Sequence, residues 1–347
     1  MSGLPMAVIG TGALGRHHAR ILSELPGVDL VAVADTNPRA AAETAQRCGT
    51  RATSDYRDLF GRVEAVVVAV PTSGHRLVAG DFLAAGCDVL VEKPIAPSVT
   101  EAQELVELAE EHDAVLQVGH IERFNPALVA ARPFLCDPRY IRVERYAPFS
   151  FRSTDIGVVH DLMIHDIDLV LELAGARVSR VQAFGVRILG QYEDCVQARI
   201  EFASGVVADL AANRVSPVVR RQMQVWGMEG CTVIDFAAKE SVRYSASPIL
   251  KYGTSPVERA RNPGADIEQL KRDIFGTFID VHKPSVAQRD QLTEELVSFI
   301  ECVRTRKTPL VSGQTALEAM RVAEKILSAA APSSARTPPA EERRLAG

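Results

Sequence analysis

The feature that most limits the fold of this chain is a glycine-rich turn set between a strand and a helix. Residues 6–10 form a short apolar run, and Gly10, Thr11, Gly12, Ala13, Leu14 and Gly15 follow it as a GxGxxG pattern that opens a helically spaced segment at residues 13–25. In that context each glycine has a mechanical task. Gly10 permits the tight turn, Gly12 lets the backbone approach a pyrophosphate, and Gly15 allows close packing of helix on strand, while the free N–H groups of the helix start meet the anion. Further apolar runs at residues 30–34, 65–70, 88–91 and 114–118 alternate with helical segments such as 100–111. Unbroken hydrophobicity in the run AVVVAV suits a strand covered on both faces, so residues 1–121 read as an α/β Rossmann domain with a doubly wound parallel sheet.

Past residue 121 the texture changes. One strongly apolar helix is expected at 158–173, followed by longer strand-like runs at 180–189, 195–202, 206–212 and 222–226. That order predicts a mostly antiparallel open sheet with helices on one face, an α+β domain over residues 122–330. The segment 245–288, rich in Pro, Gly and charge, reads as loop with one helix. Helical spacing returns at 291–304 and 314–330, and residues 331–347 are too polar and proline-rich to pack, which predicts a disordered tail. A length of 347 residues is itself enough for two cores.

Charge and cysteine usage exclude several classes. A formal net charge of -5 gives no electrostatic ground for binding nucleic acid or a membrane surface. No apolar stretch approaches the roughly 20 residues that span a bilayer, and no leader pattern opens the chain. The six cysteines form no CxxC pair, which fits reduced thiols and a cytoplasmic protein.

Asp35 ends the second strand, in the window where an acid accepts hydrogen bonds from the adenosine ribose hydroxyls; it repels a 2′-phosphate, so NAD is expected rather than NADP. Two further strand ends carry candidate chemistry. Pro71 and Thr72, with His75 just beyond, follow one run; Glu92 and Lys93 close another. Both lie where ligands bind in open α/β sheets, and an ammonium there can stabilise a developing alkoxide.

In the helix VVHDLMIHDIDLVLEL, Asp161, His165, Asp168 and Glu172 form one polar stripe on an otherwise apolar cylinder. The stripe holds no Lys, Arg or Gln of the kind that solubilises ordinary helix faces, so a functional groove is expected. Histidine has the proton affinity suited to a general base near neutrality. A metal reading uses His160, Asp161, His165 and Asp166, but it lacks a visible third ligand and hydride transfer needs none, so no metal is expected. His120, near the last strand of the first domain, lies close to the cleft; His17 and His18 are assigned to packing or surface.

Together GTGALGRHHAR, AVPTSGH, VEKP, GHIERFNPA and DLMIHDID resemble the Gfo/Idh/MocA family of glucose-fructose oxidoreductases and inositol dehydrogenases. The resemblance implies that Lys93, Asp161 and His165 are catalytic, with the nicotinamide between the two domains. Within the family the pattern is most similar to the UDP-N-acetylglucosamine 3-dehydrogenase branch, which implies a UDP-sugar oxidised to its 3-keto form and places Arg123 and Asn125 near substrate. Read as plain sequence, Asn125 and Pro126 are a helix cap and first turn. His160 stands where that pattern has an apolar residue. Other readings are a related sugar or inositol dehydrogenase, a UDP-sugar acid 3-dehydrogenase, an NAD-dependent glycosidase, or a non-catalytic NAD-sensing regulator. A homo-oligomer, dimer or tetramer, is expected to form through the exposed sheet face.

Overall fold

The structure is a computed structural model that describes residues 3–151 and 156–331. Its first layer system follows the alternation in the sequence. Strands β1 (Leu4–Ile9), β2 (Val28–Ala34), β3 (Arg51–Thr53), β4 (Ala65–Val68), β5 (Asp88–Glu92) and β6 (Leu116–Gly119) alternate with helices α1 (Gly15–Glu24), α2 (Pro38–Cys48), α3 (His75–Ala84) and α4 (Val99–Glu111). They form a six-stranded sheet in the order β3-β2-β1-β4-β5-β6. β1 pairs in parallel with both β2 and β4, so the winding direction reverses beside it. The crevice at the carboxyl ends of β1 and β4 is therefore where such a sheet takes a ligand. All four residues of β4 are buried, as its unbroken hydrophobicity requires.

The second sheet has eight strands in the order β14-β13-β12-β11-β7-β10-β9-β8, where β7 is Tyr140–Tyr146, β8 Val178–Val186, β9 Cys195–Phe202, β10 Val207–Asn213, β11 Arg220–Gly227, β12 Gly230–Asp235, β13 Glu240–Ala246 and β14 Ile279–His282. It is mostly antiparallel; β7 and β10 run parallel. Burial alternates along β9 and β7, the mark of a sheet covered on one face. The covering helices are α5 (Pro126–Ala131), α6 (Ile164–Ala174) and α11 (Gly313–Ala330). On the other face Phe184, Trp226 and Met228 are exposed.

Three features differ from the sequence reading. The segment read as loop with one helix holds three short helices, α7 (Pro248–Tyr252), α8 (Pro256–Ala260) and α9 (Ile267–Asp273), and the edge strand β14. Ser247, Ser255 and Asp266 cap them, with Pro at the first turn of two, so they are built from caps and are too short to show periodicity. The helix expected at 158–173 starts with a π-helical turn, Val159–Met163, before α6. Finally α10 (Gln291–Thr305) leaves the second domain and completes the first: Leu296, Phe299, Ile300 and Val303 share a core with Leu4, Met6, Val8, Ala19 and Leu22. Of the expected tail 331–347, Ala331 caps α11 and residues 332–347 lie outside the described residues. Among the described residues no helix is long and apolar enough to cross a membrane.

Candidate active site

The turn after β1 is shaped by what surrounds its glycines. Gly10 has φ +92°, and a Cβ on it would stand 2.6 Å from the Ala69 carbonyl oxygen; a Cβ on Gly15 would stand 1.8 Å from that of Gly10. Neither position accepts a side chain. A Cβ on Gly12 meets nothing within 4 Å, so the space above it is open. Gly12, Ala13 and Leu14 are exposed, and α1 begins without a side-chain cap, leaving N–H groups for an anion. That is the cradle a dinucleotide pyrophosphate requires.

Asp35 sits across the turn. One carboxylate oxygen accepts from the Thr11 N–H at 2.7 Å and the Thr11 hydroxyl at 2.8 Å, the other from the Asn37 N–H at 2.8 Å. Burial opposes its ionisation, but the hydrogen bonds from Asn37 and Thr11 outweigh it and hold the carboxyl below its ordinary value. Asp35 is thus a fixed anion held against the glycine turn. Asp35→Ser should raise the NADP to NAD ratio of kcat/KM by roughly tenfold or more, the order expected from removing one near-surface charge repulsion. Steady-state kinetics with both cofactors measure it, and an unchanged ratio would reject the assignment.

Lys93 extends from the end of β5 across to the π-turn. Its Nζ donates to the Asp161 backbone carbonyl at 2.6 Å and stands 3.4 Å from Asp161 Oδ1. Both side chains are about four-fifths buried, with relative exposures of 18% and 20%. His165 follows on α6, and the edge of its ring faces His120 at 5.8 Å between centroids. Burial, then the positive charges of Lys93 and Arg145, push the His165 imidazole well below its ordinary value, so it is neutral at pH 7. The sequence-predicted set Lys93, Asp161 and His165 is therefore brought together from both domains.

Other expected site residues have different tasks. His75 is buried, with its ring nitrogens 2.8 Å and 2.9 Å from the carbonyls of Pro94 and Val70; it ties together the two loops on which Pro71, Thr72 and Lys93 stand. Pro71 is exposed and Thr72 half-buried at the crevice. Glu92 points inward to His18, at 2.7 Å, so of the pair only Lys93 faces the cleft. Arg123 is 4% exposed and binds Asp168 at 2.5 Å and 2.9 Å and Glu172 at 2.8 Å. Asn125, 2% exposed, caps α5 and bonds Glu122, Phe236 and Gln291. Arg123 and Asn125, expected near substrate, are thus both engaged in bonds within the chain. The stripe divides: Asp161 meets Lys93, while Asp168 and Glu172 meet Arg123 and Arg132. His160 is half-buried on the π-turn, and its Nε2 has no partner among the described residues.

Two arginines escaped the sequence reading. Arg145, 3% exposed, bonds Asp166 through Nε and Nη2 at 2.7–3.0 Å and Glu122 through Nη1 at 2.8 Å, and its positive charge lies behind His165. A signal existed, because Ile141, Val143 and Arg145 share one face of β7, so a charge pointed where the pattern demanded an apolar residue. Arg221 stands opposite Arg145 across β11 and β7, on the same face. It is exposed, has no ion pair among the described residues, and its charge is felt by both His165 and Asp166.

Comparison with known proteins agrees with this fold. Residues 4–120 match the family described as oxidoreductase family, NAD-binding Rossmann fold, and residues 134–233 match the GFO/IDH/MocA C-terminal domain. The chain is 34% identical over 308 residues to the UDP-N-acetylglucosamine 3-dehydrogenase of Acidithiobacillus ferrooxidans, spanning 88% of this chain and 90% of that one. It is 31% identical over 327 residues to the scyllo-inositol 2-dehydrogenase (NAD(+)) of Bacillus subtilis, spanning 88% of each. A solved structure of the Acidithiobacillus enzyme superposes with a TM-score of 0.82 at 33% identity, covering 95% of this chain and 98% of that one. A levoglucosan dehydrogenase solved with NADH and levoglucosan shares the fold, with a TM-score of 0.79 at 20% identity over 95% and 98% of the two chains. A strand-ordered NAD-binding domain joined to the matching C-terminal sheet, with whole-length relatives on both halves, makes this chain an oxidoreductase of the GFO/IDH/MocA family.

Proposed function

We propose that the chain oxidises a secondary hydroxyl of a UDP-sugar, with UDP-N-acetylglucosamine going to its 3-keto form. The observation that carries this reading is the meeting of Lys93 and His165 from different domains beside the open turn at Gly12. Gly10–Gly15 and Asp35 would hold NAD+, which supplies the hydride acceptor when bound. His165, neutral because buried among cations, takes the hydroxyl proton as the carbon is oxidised. Lys93 stands over the same space and steadies the oxygen as negative charge builds on it. Asp161 holds that ammonium in place through its carbonyl.

A nucleotide-linked substrate is favoured over a free polyol by charge. Arg221 offers an exposed guanidinium on the site side of β11, suited to a diphosphate, whereas an inositol would give it hydroxyl acceptors but no negative charge. The whole-length similarity to a UDP-N-acetylglucosamine 3-dehydrogenase supports the same choice. The chain would assemble as a dimer or tetramer through the uncovered sheet face around Phe184, Trp226 and Met228.

The test is to incubate the protein with NAD+ and a panel of UDP-sugars, free sugars and inositols, following NADH absorbance and product mass. NADH formation with a UDP-sugar, whose product has lost two hydrogen atoms, is the expected result. Turnover of inositols alone, or glycosidic cleavage with no net NADH, would overturn the reading.

A further inference from the structure

A second cluster of charge lies behind the catalytic lysine and takes no part in the chemistry above. Glu295, on α10, is fully buried, and no donor among the described residues reaches either of its carboxylate oxygens. Its nearest chemistry is Glu92 and His18: one ligand atom from each of the three residues lies within 4.8 Å of the others. His18 Nε2 and Glu92 Oε1 are 2.7 Å apart. Gln117 anchors the helix by donating from Nε2 to the Glu295 backbone carbonyl at 3.1 Å and makes no bond to the Glu295 carboxylate.

Two buried carboxylates with one imidazole need neutralising. A divalent ion and a shared proton both supply the charge. Two ligands of one ion, each about 2.1 Å from it, stand roughly 3.3 Å apart in a tetrahedral shell. The His18–Glu92 contact of 2.7 Å is of hydrogen-bond length instead, so the pair is already bonded to each other. His18 Nδ1, Gln117 Oε1 and both Glu295 oxygens have no partner among the described residues, and what the two carboxyl groups lack is a proton between them.

We propose that Glu295 is protonated at neutral pH and donates to the carboxylate of Glu92, so that His18, Glu92 and Glu295 form a neutralised chain that positions Lys93 from behind. Glu92 is the residue next to Lys93 on β5, and Glu295 ties it to α10. Burial and the negative charge of Glu92 both push the Glu295 carboxyl well above its ordinary range. Burial works the same way on Glu92, but the hydrogen bond and charge of His18, then Lys93 and His75, hold it below its ordinary value. The groups facing the pair are His18 from α1, Lys93 beside Glu92, His75 from α3 and His120 after β6. The positioning part rests on the reading of Lys93 as catalytic; the protonation part does not.

The sign of the pH effect follows. The folded chain keeps a proton that an unfolded glutamate gives up, so the stabilisation is complete at low pH and is lost as pH rises from the ordinary glutamate range to the raised value. Infrared spectra of the purified protein in H2O and D2O should show a protonated-acid carbonyl band that shifts on deuteration and is absent in Glu295→Gln. The unfolding equilibrium of the wild type should change with pH relative to Glu295→Gln by up to about tenfold per pH unit through neutrality. Glu295→Gln, whose amide still donates, should keep turnover, whereas Glu295→Leu should lower kcat roughly tenfold with KM for NAD+ little changed, the size of one lost bond to a charged group. Absence of the band, equal pH slopes in wild type and Glu295→Gln, or a stoichiometric divalent metal in the purified protein would overturn the protonation. A kcat unaltered in Glu295→Leu would overturn the positioning. If the Leu variant does not fold, a kcat in Glu295→Gln that falls as far as one lost bond predicts overturns the positioning instead. The band and the slopes need no substrate, so they stand or fall apart from the proposed reaction.

Discussion

His165→Asn should lower kcat by about a hundredfold to ten-thousandfold, the range assigned to a positioned general base, while NAD+ binds as before. The substitution keeps a side chain of similar polarity but removes the atom that accepts the proton. The glycine turn at Gly10–Gly15 and Asp35, which the proposal assigns to NAD+, make their described hydrogen bonds without His165. Pre-steady-state hydride transfer and NAD+ titration by fluorescence separate the two effects. The pH profile provides a second reading. Because burial and the charges of Lys93 and Arg145 lower its pKa, His165 is lost as a base only in acid: kcat/KM should hold across neutrality and fall as pH drops below the usual histidine range. A fall centred at or above that range, or turnover within a few-fold of normal in the variant, would remove His165 from the proton-transfer step.

Arg145→Met should destabilise the chain by about 3–5 kcal/mol, the cost of stripping one partner from a buried ion pair. Arg145 binds two carboxylates, Asp166 at 1% and Glu122 at 4% exposure, and burial opposes its charge while Asp166 and Glu122 hold the guanidinium protonated. Methionine fills the volume and leaves both acids without their cation. Asp166 fares worse, because its described hydrogen bonds all come from Arg145, whereas Glu122 keeps Asn125. The penalty should shrink in acid, where Asp166 can take up a proton, and adding Asp166→Asn should recover part of it. Urea unfolding at neutral and acid pH measures both. A loss under about 1 kcal/mol, typical of exposed pairs, would show that the network is solvated in solution.

These two residues also mark the limit of what the sequence discloses. The first domain was legible because its signals are local: unbroken apolar strands, glycines whose spacing matches a turn, and an acid at the next strand end. Lys93, Asp161 and His165 were singled out by a resemblance spread over several motifs, and only partly by helical spacing; the structure shows that they lie together. Spacing placed Asp161, His165, Asp168 and Glu172 on one line, but it could not show that Arg123 and Arg132 meet the lower two, since those arginines come from another part of the chain. Nor could it show the π-turn, which alters the register between Asp161 and His165 without a proline or glycine to announce it. Arg145, by contrast, broke the alternation of its own strand and was readable there. Glu295 was not, because a lone acid in the apolar stripe of α10 looks like any helix residue until Glu92 is placed against it.

The return of α10 to the first sheet has a bearing on how the chain is made. Leu296, Phe299 and Ile300 fill one side of the core opened by β1 and α1 at the other end of the polypeptide. On the ribosome that side stays uncovered until α10 has emerged, after the whole of the second sheet, so the dinucleotide domain, although it begins first, cannot mature ahead of its partner as successive domains ordinarily do. A truncation ahead of Gln291, cut at what looks like the end of a finished domain, would release a nascent chain with bare apolar surface for chaperones to hold.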